Sequence, residues 1–238
     1  MLFEKDIVKV ISVIESKSVL VFDFDGVLAD SVEIKTWAFG ELYKEYGDNV
    51  VDKIITYHAK NGGVSRFEKF KHFHTVFLDQ PISQVIINTL NAKFSNLVMT
   101  AVINSVEIPG ATEFLKYYCN SNRIAFINSA TPSQEIKEIV SKRGMDGFFD
   151  GVYGSANSKV DNIKYILSKF NVTPEDMVFF GDSSVDFEAA KIVGCYFVGI
   201  GAYFENVTTP NANFSVNEKY GFLKDFENTA PIAARRTK

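Results

Sequence analysis

Two groups of aspartates, each placed directly after a run of apolar residues, are the strongest chemical signal in the sequence. Asp23 and Asp25 follow one apolar run and precede a glycine, and Asp182 and Asp186 follow another. Carboxylates this close together repel each other and compete for water, so their position at the ends of two strands favours a bound cation. Hard oxygen ligands suit Mg²⁺, which keeps several of its waters. The two acidic groups together therefore predict a magnesium site.

Each acidic group also has a structural interpretation. Asp23 and Asp25 are compatible with a turn that exposes its acids to water. Asp186 is expected in or near the first turn of a helix, where an acid complements the positive end of the helix dipole. For Asp186 taken alone, this role and a metal role both remain open.

Two further polar segments are expected at strand ends. Ser129 and Ala130 end an apolar run and open a helix, so a hydroxyl and backbone N–H groups are available to an anion there. Lys159 opens a later helix, where a cation is unfavourable for the helix dipole. Lys159 is therefore expected to serve something other than the helix.

The elements that must position these residues alternate between strand and helix. Apolar runs predict strands, and apolar residues at helical spacing predict helices between them. Such alternation predicts an α/β fold, a doubly wound parallel sheet with helices on both faces and ligands at the carboxyl ends of the strands. The predicted strands are 19–24, 123–128, 148–153, 177–181 and 196–200, and the helices between them are 111–118, 133–142, 159–170 and 184–193.

The interval between the first two strands breaks this alternation. Helix-like segments occur there without a strand candidate, which predicts an all-helical insertion. We expect residues 1–31 and 108–238 to form the α/β domain and residues 32–107 to form the insertion. The three histidines of the sequence all lie in this insertion and are expected to have structural or surface roles rather than to bind metal. The helix-like segments are 33–46, 50–59, 65–77 and 83–96.

Composition narrows the classes of function. The 238 residues are 46% hydrophobic and carry a net charge of −4, which excludes a disordered chain and argues against nucleic-acid binding through a bulk basic field. No apolar run approaches the roughly 18 residues of a membrane span, and the N-terminus does not resemble a signal peptide, so we expect a cytoplasmic protein without a membrane partner. Cys119 and Cys195 are expected to be buried free thiols, and the basic residues Arg235, Arg236 and Lys238 a solvated tail.

In chain order, the four polar signals resemble the four motifs of the haloacid dehalogenase superfamily, whose members transfer phosphoryl groups through an aspartate nucleophile. The resemblance covers residues 19–200. It implies that Asp23 is the nucleophile and Asp25 the general acid and base. The phosphate-binding residues that it implies are Ser129, Ala130 and Lys159.

The same resemblance implies the cofactor and the role of the insertion. A Mg²⁺ ion would be held by Asp23, by Asp182 and by the backbone carbonyl oxygen of Asp25, with Asp186 at the same end of the site. The insertion is similar to the helical cap of phosphoglycolate phosphatases and β-phosphoglucomutases. The oligomeric state is not readable from the sequence.

The expected activity is that of a phosphoric monoester hydrolase. The resemblance implies a Mg²⁺-dependent phosphatase for a small phosphorylated metabolite, such as phosphoglycolate or a sugar phosphate. Asp23, ionised at neutral pH, would attack phosphorus and form an aspartyl phosphate. Asp25 would protonate the leaving alkoxide and then deprotonate the attacking water, a role for which we expect a pKa raised by neighbouring carboxylates.

A sugar phosphate mutase is the main alternative. Residues 63–66, Gly-Val-Ser-Arg, resemble the segment with which β-phosphoglucomutases hold the phosphate that is not transferred. Arg66 is therefore a candidate to bind a distal anion, and its other interpretation is a surface residue paired with Glu68 or another nearby acid. Lys35 replaces a histidine of those mutases and Gly181 replaces a glutamate, and both departures favour hydrolysis. A non-catalytic protein that binds a phosphorylated ligand is a third hypothesis.

Overall fold

The structure is a computed structural model that describes residues 4–119, 123–201, 219–227 and 229. The basic tail predicted at the C-terminus lies outside the described residues. Within these ranges, no helix is both long enough and apolar enough to cross a bilayer. The strands are β1 (Val19–Phe22), β2 (Ile124–Asn128), β3 (Gly151–Tyr153), β4 (Met177–Gly181), β5 (Tyr196–Ile200) and β6 (Tyr220–Leu223). The α-helices are α1 (Glu4–Glu15), α2 (Val32–Tyr43), α3 (Asp48–Lys60), α4 (Arg66–His72), α5 (Gln84–Asn104), α6 (Ala111–Tyr118), α7 (Ser133–Lys142), α8 (Lys159–Phe170) and α9 (Ser184–Val193).

The described strands form one six-stranded sheet in the order β3-β2-β1-β4-β5-β6, and every pairing is parallel. The strand order reverses between β1 and β4, and a crevice for ligands opens at the carboxyl ends of strands at such a reversal. Phe22 at the end of β1 is level with Ile127 of β2 and Phe180 of β4. The residues that follow these three strands therefore meet at one edge. The predicted fold class, a doubly wound α/β sheet, is confirmed.

Both faces of the sheet are covered by apolar side chains. Along β1, Leu20 and Phe22 belong to one hydrophobic cluster, and Val19 and Val21 belong to the other, because side chains alternate between the faces of a strand. All four residues are fully buried. Burial of each side chain stabilises the fold by about 1.5–3 kcal/mol, so β1 gives the residues after it a fixed position.

Helices α2 to α5 lie between β1 and β2, and an aromatic core holds them together. The ring of Phe39 in α2 lies 6.0 Å from Phe70, 5.6 Å from Phe73 and 4.4 Å from Phe94, measured between ring centroids. These contacts account for part of the 14% aromatic content of the sequence. They connect α2, α4 and α5 into one packed unit, called here the inserted helices (α2 to α5). The predicted boundaries of a separate domain, 32–107, remain a prediction.

Several element boundaries differ from those predicted. β1 ends two residues early because the chain turns at Asp23, and β3 is shortened by a 3₁₀ turn at Asp146–Phe148. The predicted helix 65–77 divides into α4 and a π-helical turn, and α5 continues to Asn104. β6 was not predicted, since its segment carries no clear alternation. Cys119 and Cys195 are free thiols, as predicted; Cys195 is buried, whereas Cys119 is only half-buried, so its predicted burial was wrong.

Candidate active site

Asp23 lies at the carboxyl end of β1. Its backbone N–H donates to the carbonyl oxygen of Phe180 at 2.8 Å, which extends the β1–β4 pairing by one residue. Its Oδ1 accepts a hydrogen bond from the N–H of Phe24 at 2.7 Å, and its Oδ2 accepts one from Lys159 Nζ at 2.7 Å. Asp23 is 4% exposed. Both carboxylate oxygens are therefore held in one orientation at the centre of the sheet edge.

Lys159, the first residue of α8, joins two of the aspartates. Its Nζ donates to Asp23 and also to Asp186 Oδ1, so two buried carboxylates share one ammonium. Burial opposes the charge of Lys159, but Asp186 and Asp23 outweigh that effect and raise its pKa. These contacts with two aspartates explain why a lysine stands at the start of a helix, where the helix dipole disfavours a cation.

Asp186 lies at the start of a helix and also beside the other aspartates, so its position is compatible with both of the roles that the sequence left open for it. Its Oδ2 accepts hydrogen bonds from the N–H of Ser183 at 3.2 Å and from the Ser183 hydroxyl at 2.5 Å, and the two residues form a capping box at the start of α9. Its Oδ1 accepts a hydrogen bond from Lys159 Nζ, and one of its carboxylate oxygens lies within 4.8 Å of oxygens of Asp23 and Asp182. Asp186 therefore caps its own helix and also contributes a carboxylate to the edge of the sheet.

Asp23, Asp182 and Asp186 form a cluster in which one carboxylate oxygen from each lies within 4.8 Å of the others. Burial, Asp23 and Asp186 together raise the pKa of Asp182 well above its ordinary value. Burial also raises the pKa of Asp23 to about 6, against the opposing effect of Lys159. A bound cation would relieve this repulsion, and an all-oxygen donor set suits a hard cation such as Mg²⁺. The residues present therefore fit the implied metal.

The turn after β1 brings Gly26 against Asp182. Gly26 has a φ of +77°, and a Cβ at this position would overlap the Asp182 carboxylate. Only glycine adopts this backbone conformation at little cost. Gly26 is therefore part of what lets the loops after β1 and β4 approach each other.

Asp25 is held apart from the acidic cluster by its own donors. Its Oδ1 accepts from the Ser31 hydroxyl at 2.6 Å, and its Oδ2 accepts from Lys35 Nζ at 2.5 Å and the Thr131 hydroxyl at 3.2 Å. Burial opposes ionisation of Asp25, but Lys35 and the hydrogen bonds outweigh it and lower its pKa. The expectation of a raised pKa was therefore wrong. The Asp25 carboxylate is not one of the clustered groups, and its backbone carbonyl oxygen remains a predicted metal ligand.

The loop after β2 places Ser129 and Ala130 beside Lys159. The Asn128 side chain donates to the Lys159 carbonyl oxygen at 3.0 Å, which connects the end of β2 to the start of α8. Ser129 is 1% exposed, and its Oγ accepts from the N–H of Thr131 at 3.1 Å. Ser129, Ala130 and Lys159 line one cleft between this loop and the inserted helices. The structure thus brings the three predicted phosphate-binding residues together.

Arg66, the first residue of α4, is buried rather than a surface residue, and its partner is not Glu68. Its Nη1 donates to Glu135 Oε2 at 3.0 Å and to Ser95 Oγ at 2.9 Å, and its Nη2 donates to Glu135 Oε1. The guanidinium lies 4.4 Å from the ring centroid of Phe94. Arg66 reaches the predicted site, but Glu135 of α7 neutralises its charge there. The predicted contact with a distal anion remains a prediction.

A pocket lies between the inserted helices and the carboxyl ends of β1 and β4. Two pocket residues, His58 and Lys69, have no place in the sequence-based site. Lys69 follows Arg66 by three positions and so shares its helix face, a signal that the spacing contains. His58 carries no comparable signal, because its position depends on how α3 packs. The lining residues include Asp23, Asp25, Lys35, Phe39, His58, Arg66, Lys69, Phe94, Ala130, Thr131 and Asp182.

Comparison with known proteins places this arrangement in a family. The family model for haloacid dehalogenase-like hydrolases matches residues 20–200. The chain is 25% identical over 194 residues to a phosphoglycolate phosphatase from Colwellia psychrerythraea, and the match covers 79% of this chain and 85% of that protein. It is 26% identical over 184 residues to a phosphorylated carbohydrates phosphatase from Thermotoga maritima, with coverage of 74% and 81%.

A solved structure gives the same indication for the fold. A β-phosphoglucomutase from Clostridium difficile superposes with a TM-score of 0.70 at 18% identity, over 93% of this chain and 100% of that one. The matched family segment runs from β1 to β5 and contains all four aspartates of the two acidic groups. The chain therefore belongs to the haloacid dehalogenase-like hydrolase family.

Proposed function

We propose that the protein is a Mg²⁺-dependent phosphatase that hydrolyses a small phosphorylated metabolite, of the phosphoglycolate or sugar phosphate type, through an aspartyl-phosphate intermediate. The observation that carries the proposal is the position of Asp23. Its carboxylate lies at the centre of the sheet edge, is oriented by Lys159, and lines a pocket together with Asp25. The names of the two curated relatives support a phosphatase of small phosphorylated compounds.

The reaction has two halves, and each uses both aspartates. In the first half, an Asp23 carboxylate oxygen forms a bond to phosphorus while the bond to the leaving alkoxide breaks, and the alkoxide takes a proton from Asp25. Asp25 must enter this half protonated, although Lys35 and the hydrogen bonds to its carboxylate lower its pKa and favour the ionised form that the second half needs. In the second half, Asp25 takes a proton from water as the water oxygen attacks phosphorus, and the bond to Asp23 breaks. The products are the alcohol and inorganic phosphate, and both aspartates return to their starting states.

The remaining site residues orient the phosphoryl group and neutralise its charge. In this proposal Lys159 and the Ser129 hydroxyl contact its oxygens, and the backbone N–H groups near Ala130 add neutral donors. Asp23, Asp182 and Asp186 would hold the Mg²⁺ ion, with the carbonyl oxygen of Asp25 as a further ligand. When bound, this ion supplies positive charge that lets an anionic nucleophile approach an anionic phosphoryl group.

The inserted helices act in this proposal as the cap, residues 32–107, that closes the site against bulk water. Two contacts with the core support the closed arrangement. Arg66 pairs with Glu135, and a Cβ at Gly63 would overlap the Ser183 hydroxyl and lie against Val185. A closed pocket favours a small substrate and protects the aspartyl phosphate until the water is activated.

The direct test is the Asp23→Asn variant, assayed for Mg²⁺-dependent release of phosphate from p-nitrophenyl phosphate. We expect activity to be abolished, because the amide cannot act as the nucleophile. Asp30→Asn is a matched control, since Asp30 lies on the same loop and is exposed. Wild-type activity in the Asp23→Asn variant would refute the assignment of the nucleophile.

Two alternatives are decided by the products. A mutase would convert a sugar 1-phosphate into its 6-phosphate in the presence of a bisphosphate primer, with little free phosphate. The ion pair of Arg66 with Glu135 does not favour a mutase, because Glu135 already neutralises the arginine that would hold the phosphate that is not transferred. Tight binding of a phosphorylated ligand with no turnover in Mg²⁺ would instead indicate a non-catalytic protein. Release of one phosphate for each phosphomonoester molecule consumed would exclude both the mutase and the non-catalytic protein.

A further inference from the structure

Lys69 of α4 is a buried cation that lacks an acidic partner in the described part of the chain. It is 2% exposed, and its Nζ lies 2.7 Å from His58 Nδ1 and 3.3 Å from the carbonyl oxygen of Gly62. Neither neighbour carries a negative charge. A buried ammonium is costly unless a charge or several hydrogen bonds compensate it, so an anion bound in the pocket would stabilise Lys69.

His58 adds a second polar group with an unused donor. It is 5% exposed, and its Nε2 has no hydrogen-bond partner among the described residues. An ammonium can only donate, so His58 Nδ1 accepts from Lys69 and the ring proton of the neutral imidazole is on Nε2. Burial and the charge of Lys69 lower the pKa of His58 to about 3, which keeps the ring neutral. His58 Nε2 is thus a buried N–H without an acceptor.

The other cations of the pocket are already neutralised. Lys35 pairs with Asp25 at 2.5 Å, and Lys159 pairs with two aspartates. Arg66 pairs with Glu135. Burial, together with the charge of Lys35, lowers the pKa of Lys69 to about 7, as expected for an amine whose charge has no close counterpart. Among the described residues that line the pocket, Lys69 is the cation that remains available to a ligand.

We propose that Lys69 and His58 bind an anionic oxygen on the leaving group of the substrate, so that the enzyme prefers phosphomonoesters with a second anionic group. This assignment rests on the proposed phosphatase function, which places the transferred phosphoryl group at Asp23 and the leaving group toward the inserted helices. The second anion is a carboxylate or a second phosphate. The assignment gives the distal anion to Lys69 instead of to Arg66, the candidate that the sequence suggested.

A matched pair of substrates tests the preference. 2-Phosphoglycolate and 2-hydroxyethyl phosphate have similar size and differ in the carboxylate. We expect the parent enzyme to favour 2-phosphoglycolate in kcat/KM by about 10- to 100-fold, the range for a hydrogen bond to a charged group. Glucose 1,6-bisphosphate and glucose 1-phosphate form the second pair, and a preference confined to that pair would identify the anion as a phosphate.

The variant Lys69→Met should remove most of the preference, mainly by raising KM for the anionic member of the pair. Lys71→Met is the matched control, because Lys71 lies on the same helix but is exposed and pairs with Glu68 at 2.8 Å. This control should keep the full preference. Should Lys69→Met fail to fold, Lys69→Arg keeps the positive charge, and partial retention of the preference is expected from it.

The substrate preference also distinguishes failure of the Lys69 assignment from failure of the proposed phosphatase function. No preference in either substrate pair for the parent enzyme, or an unchanged preference in Lys69→Met, overturns the assignment of Lys69. If the parent hydrolyses neither these compounds nor p-nitrophenyl phosphate, the phosphatase proposal fails instead. In that case, calorimetric binding of 2-phosphoglycolate and 2-hydroxyethyl phosphate to the parent and to Lys69→Met still decides the anion site. Equal affinities for the two compounds would refute it.

Discussion

Arg66 and Glu135 form a buried ion pair with two parallel contacts that joins the inserted helices to the core. Arg66 begins α4, and Glu135 lies in the first turn of α7, after β2. The two residues are 4% and 7% exposed. The Ser95 hydroxyl of α5 donates to Glu135 at 2.5 Å and accepts from Arg66 at 2.9 Å. Three helices that are distant in sequence therefore meet at this pair.

The substitution Glu135→Gln should destabilise the protein strongly. It leaves the Arg66 guanidinium buried without a counter-charge, and breaking a buried pair in this way costs about 3–5 kcal/mol. Urea unfolding of parent and variant measures the change in free energy. Glu138→Gln is the control on the same helix, because Glu138 pairs with Lys142 at the surface, and it should change the stability by less than about 0.5 kcal/mol.

The double variant Arg66→Met, Glu135→Met provides the complementary test. It removes both charges and fills the space with apolar side chains, so it should recover most of the stability lost in Glu135→Gln. Equal unfolding midpoints for Glu135→Gln and Glu138→Gln would contradict the importance of the pair for stability.

The sequence predicted the sheet well, because its evidence is local. Apolar runs identified five strands, and the aspartates directly after β1 and β4 were expected at one edge, where the structure places them. β6 was missed because Tyr220–Leu223 is short and follows a segment with no alternation. The apolar pattern predicts strand through Asp23, where the chain turns, because aromatic residues flank Asp23 on both sides.

The surroundings of Asp25 and Arg66 were harder to predict, because they depend on residues far away in the sequence. Asp25 lies two positions after Asp23 along the chain, yet in space its carboxylate contacts Lys35 and Thr131, and its pKa is lowered rather than raised. Arg66 finds Glu135, which lies 69 positions further along. The spacing of residues along the sequence does not predict either set of contacts, because both depend on how the inserted helices pack against the core.

The contact between Lys35 and Asp25 predicts a catalytic effect at some distance from the reacting phosphorus. Lys35→Met removes one of the donors that orient the Asp25 carboxylate. We expect kcat for p-nitrophenyl phosphate to fall about 10- to 100-fold, a part of the 10²–10⁴ that general acid and base catalysis contributes. The loss arises in the second half of the reaction, where Asp25 must be ionised to take a proton from water, because Lys35 also lowers the pKa of Asp25. KM should change less, because the lysine orients Asp25 rather than the phosphate.

Steady-state kinetics of Lys35→Met and Lys53→Met make the comparison. Lys53 lies on α3 and is exposed, so its loss changes the charge of the inserted helices without touching Asp25. A loss that is confined to KM, or that is equal in the two variants, would mean that Lys35 does not position the acid and base.

The acidic cluster predicts that Mg²⁺ stabilises the protein. Ligands that bind only the folded state raise its stability by about 2.7 kcal/mol at 100 times the dissociation constant. Asp182→Asn should remove most of the Mg²⁺-dependent rise in Tm, because it removes one of three clustered carboxylates. The metal-free variant should be at least as stable as the metal-free parent, since repulsion with Asp23 and Asp186 is relieved.

Thermal unfolding in Mg²⁺ and in a chelator measures both effects. Asp161→Asn serves as the control, because Asp161 is exposed in the first turn of α8 and lies outside the cluster. A full Mg²⁺-dependent shift in Asp182→Asn would remove Asp182 from the metal site.

The substitution Gly26→Ala should cause a loss of function that backbone strain alone does not explain. Alanine at a positive φ costs about 1–2 kcal/mol, and this cost applies equally to Gly144, which has a φ of +68°. A Cβ at Gly144 meets no described atom within 4 Å, whereas a Cβ at Gly26 overlaps the Asp182 carboxylate. Gly144→Ala should therefore lose stability and keep Mg²⁺-dependent phosphatase activity. Gly26→Ala should lose both, because it displaces an acid of the cluster. Similar activities in the two variants, measured well below their unfolding midpoints, would show that the approach of Gly26 to Asp182 is not required by the site.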